Sequence, residues 1–490
     1  MIYVSIWFDV EDYFSPESDD ADKQAADLAS QAGVPVTVKV VGEKARALER
    51  NGRVDVIRSL ACHDIGFHSD WHSRPPTIAS YLADLGWEDG ANEFERREWQ
   101  GLQDVERIMG RTAVCFGQPG SSWAPQIYPA LRKWNIPLYL DEAPHVGLPS
   151  EQPFWFQGML HAFNLRRNAI KMEFGSDSDF QRTCDLFEAA YFRLAQVGGG
   201  LISLYYHPQE FIYRSFQDVV NFGRGANPPV GLWRTEGHRS AVEIRMGYQH
   251  YQEMLRFMQS FEDVCFVGAS QIPPLYSEST LPREWPLPLV LRLARNVQNE
   301  INFQQVGDFN LSAAEVFEVL VNWLVLHLDL PFKPSQQADR IILGPTQVVY
   351  TKHVERSVSW HQFQSGVLYA ARFLGERGQI PAAVRMGNQS TSPEDFLANL
   401  GKVIQCLLEQ GSLPSKLVWQ VGKFTAAAYA AQDSQELWSW PIFPDGFQAH
   451  NLMHLARLQT WTIKPARLQL ETEPAPKEVL ERRTLKRSRN

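Results

Sequence analysis

Three carboxylates within four residues and a pair of histidines set four apart are the residues of this chain best suited to chemistry. Asp9, Glu11 and Asp12 close the apolar run Ile2-Tyr3-Val4-Ser5-Ile6-Trp7-Phe8. His68 and His72 stand in Asp64-Ile65-Gly66-Phe67-His68-Ser69-Asp70-Trp71-His72. One carboxylate with two imidazoles can hold a divalent metal and leave a position open for water, while a second carboxylate acts as a base. That set points to metal-assisted hydrolysis. Three carboxylates at one strand end repel one another unless a cation compensates, so their pKa values should be perturbed. Residues two apart on a strand share a face, which pairs Asp9 with Glu11. The later acids Glu17, Asp19 and Asp20 read as a solvated loop. A histidine pair at this spacing is weak evidence alone, and His450 with His454 provides a control. That second pair lies in an apolar helical pattern with no acid cluster beside it and reads as structural. Position after a strand is what distinguishes His68 and His72.

The elements that must hold these groups alternate β-rich runs with helical patterns, the signature of an α/β sheet with crossover helices. Strands are expected at Ile2–Phe8, Val34–Val41, Asp64–Phe67, Thr112–Phe116, Ile136–Leu140, Leu201–Tyr206 and Val264–Val267. Helices fall between them, the longest at about Asn92–Met109. His207-Pro208 follows the sixth strand directly. In parallel α/β folds the rim at the carboxyl ends of the strands is where ligands bind. The prolines from Pro273-Pro274 through Pro282, Pro286 and Pro288 then interrupt all periodicity. The expected division is therefore a catalytic domain over 1–272, a proline-rich linker over 273–289, a mainly helical accessory domain over 290–470 and a charged tail over 471–490. Ser312 with Glu315 forms a capping-box pattern, and Ser392-Pro393 opens a similar helix.

The chain has 490 residues, 44% hydrophobic and 21% charged, which is globular and too long for one ordinary domain. A net charge of −9 argues against a nucleic-acid surface. The basic cluster Arg482, Arg483, Lys486, Arg487 and Arg489 reads as a solvated tail. No apolar run approaches a membrane span and no secretory leader is read, since the chain enters a core-like strand at Ile2. Five scattered cysteines in apolar contexts read as buried thiols in a reducing, cytoplasmic setting.

With those motifs in view, residues 1 to about 270 resemble the polysaccharide deacetylase superfamily (NodB homology, carbohydrate esterase family 4). Five elements carry the likeness in order: Phe8-Asp9-Val10-Glu11-Asp12-Tyr13, the stretch Gly33–Gly42, Asp64–His72, Phe116-Gly117-Gln118-Pro119-Gly120 and Leu204–Pro208. The acid motif is similar to the Asp-Val-Glu-Asp-Tyr branch of that superfamily. The resemblance implies a distorted (β/α) barrel of about seven strands that removes an N-acetyl group from a carbohydrate with one divalent transition metal, zinc being the expected ion. It implies Asp9 as general base, His68 and His72 as metal ligands, and His207 as the acid that protonates the departing amine. Glu11 is the expected third ligand, with Asp12 as alternative, and Asp141 is a candidate to orient His207. Trp71, Pro119, Gly120, Trp123 and Tyr206 are candidates for holding a sugar. One departure stands out: the arginine that the family uses to hold the catalytic aspartate is replaced by Gly117 or Gln118. Its loss admits two other readings, a hydrolase of a non-sugar C–N bond like allantoinase relatives, or a carbohydrate-binding protein without activity. Residues 377–384 and 392–400 are faintly similar to the helical repeats of pseudomurein-binding proteins.

Overall fold

The structure, a computed structural model, describes residues 1–276, 284–307, 309–333, 341–349, 357–414 and 416–469. The charged tail over 471–490 and the central part of the proline-rich stretch lie outside the described residues.

The first strand, β1 (Ile2–Val10), is buried along its whole length and sits in the middle of the main sheet. It is followed by β2 (Thr37–Val40), β3 (Asp64–Phe67), β4 (Cys115–Phe116), β5 (Leu138–Asp141), β6 (Phe154–Phe156), β7 (Met159–Phe163), β8 (Ala169–Lys171), β9 (Gly200–Tyr206) and β10 (Val264–Phe266). The order across the sheet is β6-β7-β5-β4-β3-β2-β1-β9-β8, with β10 also paired to β1. Every pairing among these strands is parallel except the β6–β7 hairpin. Parallel strands direct their carboxyl ends to one rim, so Asp9, His68, Gly117, Asp141 and His207 converge there.

The expected α/β class and all seven expected strands are present. Four further strands widen the sheet: β6, β7, β8 and the pair Lys464–Pro465, which joins β6 from far along the chain. The two ends of this order do not pair, so the barrel is incomplete.

Alternation along the strands separates two apolar layers. Ile6, Phe8, Val38, Val40, Ile65 and Phe67 face the helices, whereas Trp7, Cys115, Leu138, Leu140 and Leu201 form the inner cluster. Glu17, Asp19 and Asp20, expected in a loop, lie in a helix instead. Pro16–Ala32 begins at Ser15, whose hydroxyl accepts the Ser18 N–H, and stops at Gly33 with φ 68°.

A second core is built from a duplicated unit. Helix Leu287–Asn299, a hairpin turning at Gly307 and the Ser312-capped helix Ala313–His327 recur as Trp360–Arg377, a hairpin turning at Gly387 and the Ser392-capped helix Pro393–Gln410. The first helix of one unit packs on the second helix of the other. Gly401 lets the backbones approach, because a Cβ there would meet the Ala294 carbonyl. The stretch expected as one accessory region, 290–470, contributes to both cores. After Phe424 the chain returns to the first, placing Ala430, Leu437, Phe443, Leu452 and Ile463 in it.

Of the five cysteines only Cys115 and Cys184 are buried; Cys62 is exposed, contrary to expectation. No described helix is long and apolar enough to cross a membrane.

Candidate metal and catalytic site

Asp9 lies on the inner face of β1, two residues beyond Trp7, and Lys39 is its direct register partner on β2. Lys39 is fully buried, lies 3.9 Å over the Trp7 ring, and pairs with Asp9 Oδ1 at 2.9 Å and Asp141 Oδ2 at 2.6 Å. A buried ammonium is tolerated only when paired in this way. Gly117 makes the arrangement possible, since a Cβ there would overlap both the lysine Nζ and the Asp141 carboxylate. The cation beside Asp9 thus comes from the neighbouring strand, in space that Gly117 leaves open. Burial opposes the charge on Asp9, yet with His68 kept neutral by its own burial, the cations Lys39 and His207 still favour the ionised carboxylate.

The two histidines sit on a tight loop in which Ser69 and His72 adopt left-handed backbone, φ 65° and 52°. The loop is tied to the start of helix Gly42–Arg50, whose Gly42 and Glu43 N–H groups donate to the Ser69 and Asp70 carbonyls at 3.0 and 2.8 Å. His68 Nδ1 donates to the Gly117 carbonyl at 3.0 Å, an acceptor that permits no other assignment. Ser73 gives its proton to Asp218 at 2.5 Å and so can only accept from His72 Nδ1, also at 2.5 Å. Burial holds both rings neutral, His72 at about 4. Each ring thus turns an Nε2 lone pair toward the same point, where the Glu11 carboxylate meets them at 3.6 Å (His68) and 2.9 Å (His72).

Glu11, His68 and His72 fit a divalent ion. Their ligand atoms lie within 4.8 Å of one another, and tetrahedral bonds of about 2.1 Å would set them roughly 3.4 Å apart. His72 Nε2 has no hydrogen-bond partner among the described residues, and a lone pair 2.9 Å from a carboxyl oxygen calls for a proton or a metal ion between them. Burial, with Asp218, Asp9 and Glu210 nearby, pushes Glu11 well above its usual range despite His207. A cation at this point would offset that cost. Asp12, the alternative ligand, turns away: its Oδ1 accepts the Phe14 N–H at 2.8 Å.

His207 follows β9 with Nε2 at 3.5 Å from Asp9 Oδ2. Its Nδ1 faces Glu210 at 2.8 Å, and Lys171 holds the other Glu210 oxygen at 3.0 Å. Burial works against the imidazolium, but Glu11, Glu210 and Asp9 prevail and raise it to about 9. The orienting group is thus Glu210 and not Asp141, which is taken by Lys39.

Other expectations are corrected by position. Trp123 is wholly buried, donating to Tyr128 and stacked on His145. Tyr206 packs outward against Phe174 and Phe211, because strand alternation puts Tyr205, not Tyr206, on the face of His207. Pro119 is buried. Trp71 and Gly120 do reach the mouth: Trp71 lines a cavity of about 450 Å³ beside His72, and Gly120 lies against Trp440. Asp19 is not solvated but buried, pairing with Lys44 at 2.6 Å; Glu17 and Asp20 are exposed as expected. His450 is exposed and pairs with Asp433.

Lys39, Ser73, Asp218, Gln209, Glu210 and Trp440 were not singled out by sequence reasoning. A lone lysine in the apolar run of β2, and a glutamate three residues after His207, were the available signals. Gln209, which donates to Glu11 at 2.9 Å, and Asp218 carried none.

No family model matches this chain, and no curated protein matches it. Among solved structures, it is similar to a probable polysaccharide deacetylase from Pseudomonas aeruginosa PAO1 (13% identity, 56% of this chain and 90% of that one, TM-score 0.36). It is also similar to the Bc1960 peptidoglycan N-acetylglucosamine deacetylase (12%, 56% and 89%, TM-score 0.30). A third similar structure is Puue allantoinase (12%, 57% and 92%, TM-score 0.37).

Proposed function

We infer that this protein is a metal-dependent hydrolase that removes an N-acetyl group from an amino sugar within an oligo- or polysaccharide. The observation that carries the reading is the pair of neutral histidines, each committed through Nδ1, whose free Nε2 lone pairs converge on Glu11. Zinc suits this nitrogen and oxygen set, and when bound it would supply Lewis-acid polarisation of the acyl oxygen and of a water.

The remaining work falls to the chain's own side chains. Asp9, kept ionised and oriented by Lys39, accepts the proton of the attacking water. His207, charged at neutral pH and steered by Glu210, delivers a proton to the amide nitrogen, which leaves poorly as an anion. Gln209 holds one Glu11 oxygen and so fixes the other toward the histidines. The cation beside Asp9 argues against the binding-only reading, whose sole ground was the missing arginine. A reducing, cytoplasmic setting is part of the same proposal, supported by the buried thiols Cys115 and Cys184.

The test is to supply zinc-loaded protein with N-acetylglucosamine oligomers and, separately, with allantoin and related cyclic amides. Acetate and free amine from the oligomers support the reading. Turnover of the cyclic amides alone sinks it, and metal binding without turnover of either would identify a non-catalytic protein.

A further inference from the structure

The C-terminal return of the chain brings an aromatic side chain to the mouth of the site. Residues 426–447 are fastened to the first core at several points. The Ala431 N–H donates to the His145 carbonyl at 2.8 Å, and Gly147 N–H to the Tyr429 carbonyl at 3.1 Å. The carbonyls of Pro441 and Ile442 accept the N–H groups of Arg224 and Gly225, each at 2.8 Å. Between these ties stands Trp440, half-buried, with its ring 5.7 Å from the His72 ring and at 89° to it. A Cβ on Gly120 would be nearly equidistant from Cδ1, Nε1 and Cε2 of the indole. The glycine backbone therefore lies on one face of the ring and fixes its orientation, and no other residue type would leave room. The indole N–H has no hydrogen-bond partner among the described residues, which leaves a donor on a ring 5.7 Å from that of His72. An aromatic ring with one apolar surface and one free donor is suited to a pyranose, whose ring carbons pack and whose hydroxyls accept.

We propose that Trp440 is a substrate-contacting residue of the site, holding the pyranose that bears the scissile group, and that the C-terminal segment is thereby part of the substrate site. The proposal rests on the N-acetyl sugar reading for its substrate class, but its test does not require turnover. Binding of N-acetylglucosamine tetramer is measured by calorimetry on the zinc-loaded, full-length Asp9→Asn protein, and again with Trp440→Ala or Trp440→Phe added. Steady-state hydrolysis is followed in parallel without the Asp9 change. Trp440→Ala should weaken binding about tenfold and raise KM to match, with kcat and zinc content within twofold; Trp440→Phe should recover part of the loss. Unchanged affinity in Trp440→Ala, loss of zinc from it, or no tetramer binding by the unsubstituted site would each overturn the proposal. Trp440-dependent binding without acetate release would leave this proposal standing and refute the hydrolase reading instead.

Discussion

Lys39 Nζ lies 2.9 Å from Asp9 Oδ1, and the two residues are register partners on adjacent parallel strands. The candidate base is thus held from its own sheet, not from the loop after β4, and Gly117 is small because that space is occupied.

Lys39→Met should therefore separate positioning from metal binding. It leaves Asp9 and Asp141 facing each other without a cation, which should cost about 3–5 kcal/mol of stability in urea unfolding. Hydrolysis should fall at least about a hundredfold while zinc content is unchanged. Retention of activity within threefold would show that the lysine is only structural.

The alkaline limb of activity should report His207. The imidazolium must be protonated to donate, and its raised value of about 9 means that activity is lost as pH climbs through that value. Glu210→Gln removes one of the anions that raise it, so the loss should begin about one pH unit lower. An unshifted kcat/KM profile would exclude Glu210 as the orienting group.

Glu98 offers a test on stability. Burial, the largest influence, pushes its carboxyl up to about 7, although the Asp70 N–H and the Tyr81 hydroxyl both donate to it. The folded state then holds a proton that the unfolded chain releases near pH 4.5, so stability declines as pH rises from about 4.5 to 7. The effect is of order 3 kcal/mol at most. Glu98→Gln should flatten that part of the pH–stability curve measured by urea unfolding. Identical slopes in the two proteins would contradict it.

Much of the frame was legible because its signals are local. The long apolar runs of β1 and β9 needed no distant partner to be read. β6, β7 and β8 were missed since three to five residues carry little periodicity, and Lys464–Pro465 pairs across most of the chain. Asp9, Glu11, His68, His72 and His207 converge because strand ends in a parallel sheet share a rim. The assignment of Asp141 to His207 failed for a different reason: a strand-end carboxylate does not announce its partner, and the buried Lys39 claimed it. Tyr206 was a parity error that counting back two residues from His207 corrects. The duplicated helix–hairpin–helix unit was not read, although Gly307 with Ser312 recurs as Gly387 with Ser392 at the same spacing. Trp440 had no such signal, as its place depends on how the chain returns.

The most direct measurement is the zinc content of purified, zinc-loaded and desalted protein by elemental analysis. The unsubstituted protein and Asp9→Asn should each hold about one zinc per chain, and the His68→Ala, His72→Ala double variant almost none. Equal zinc in the unsubstituted protein and the double variant would contradict the account, and loss of zinc in Asp9→Asn with retention in Glu11→Gln would exchange the assigned base and ligand.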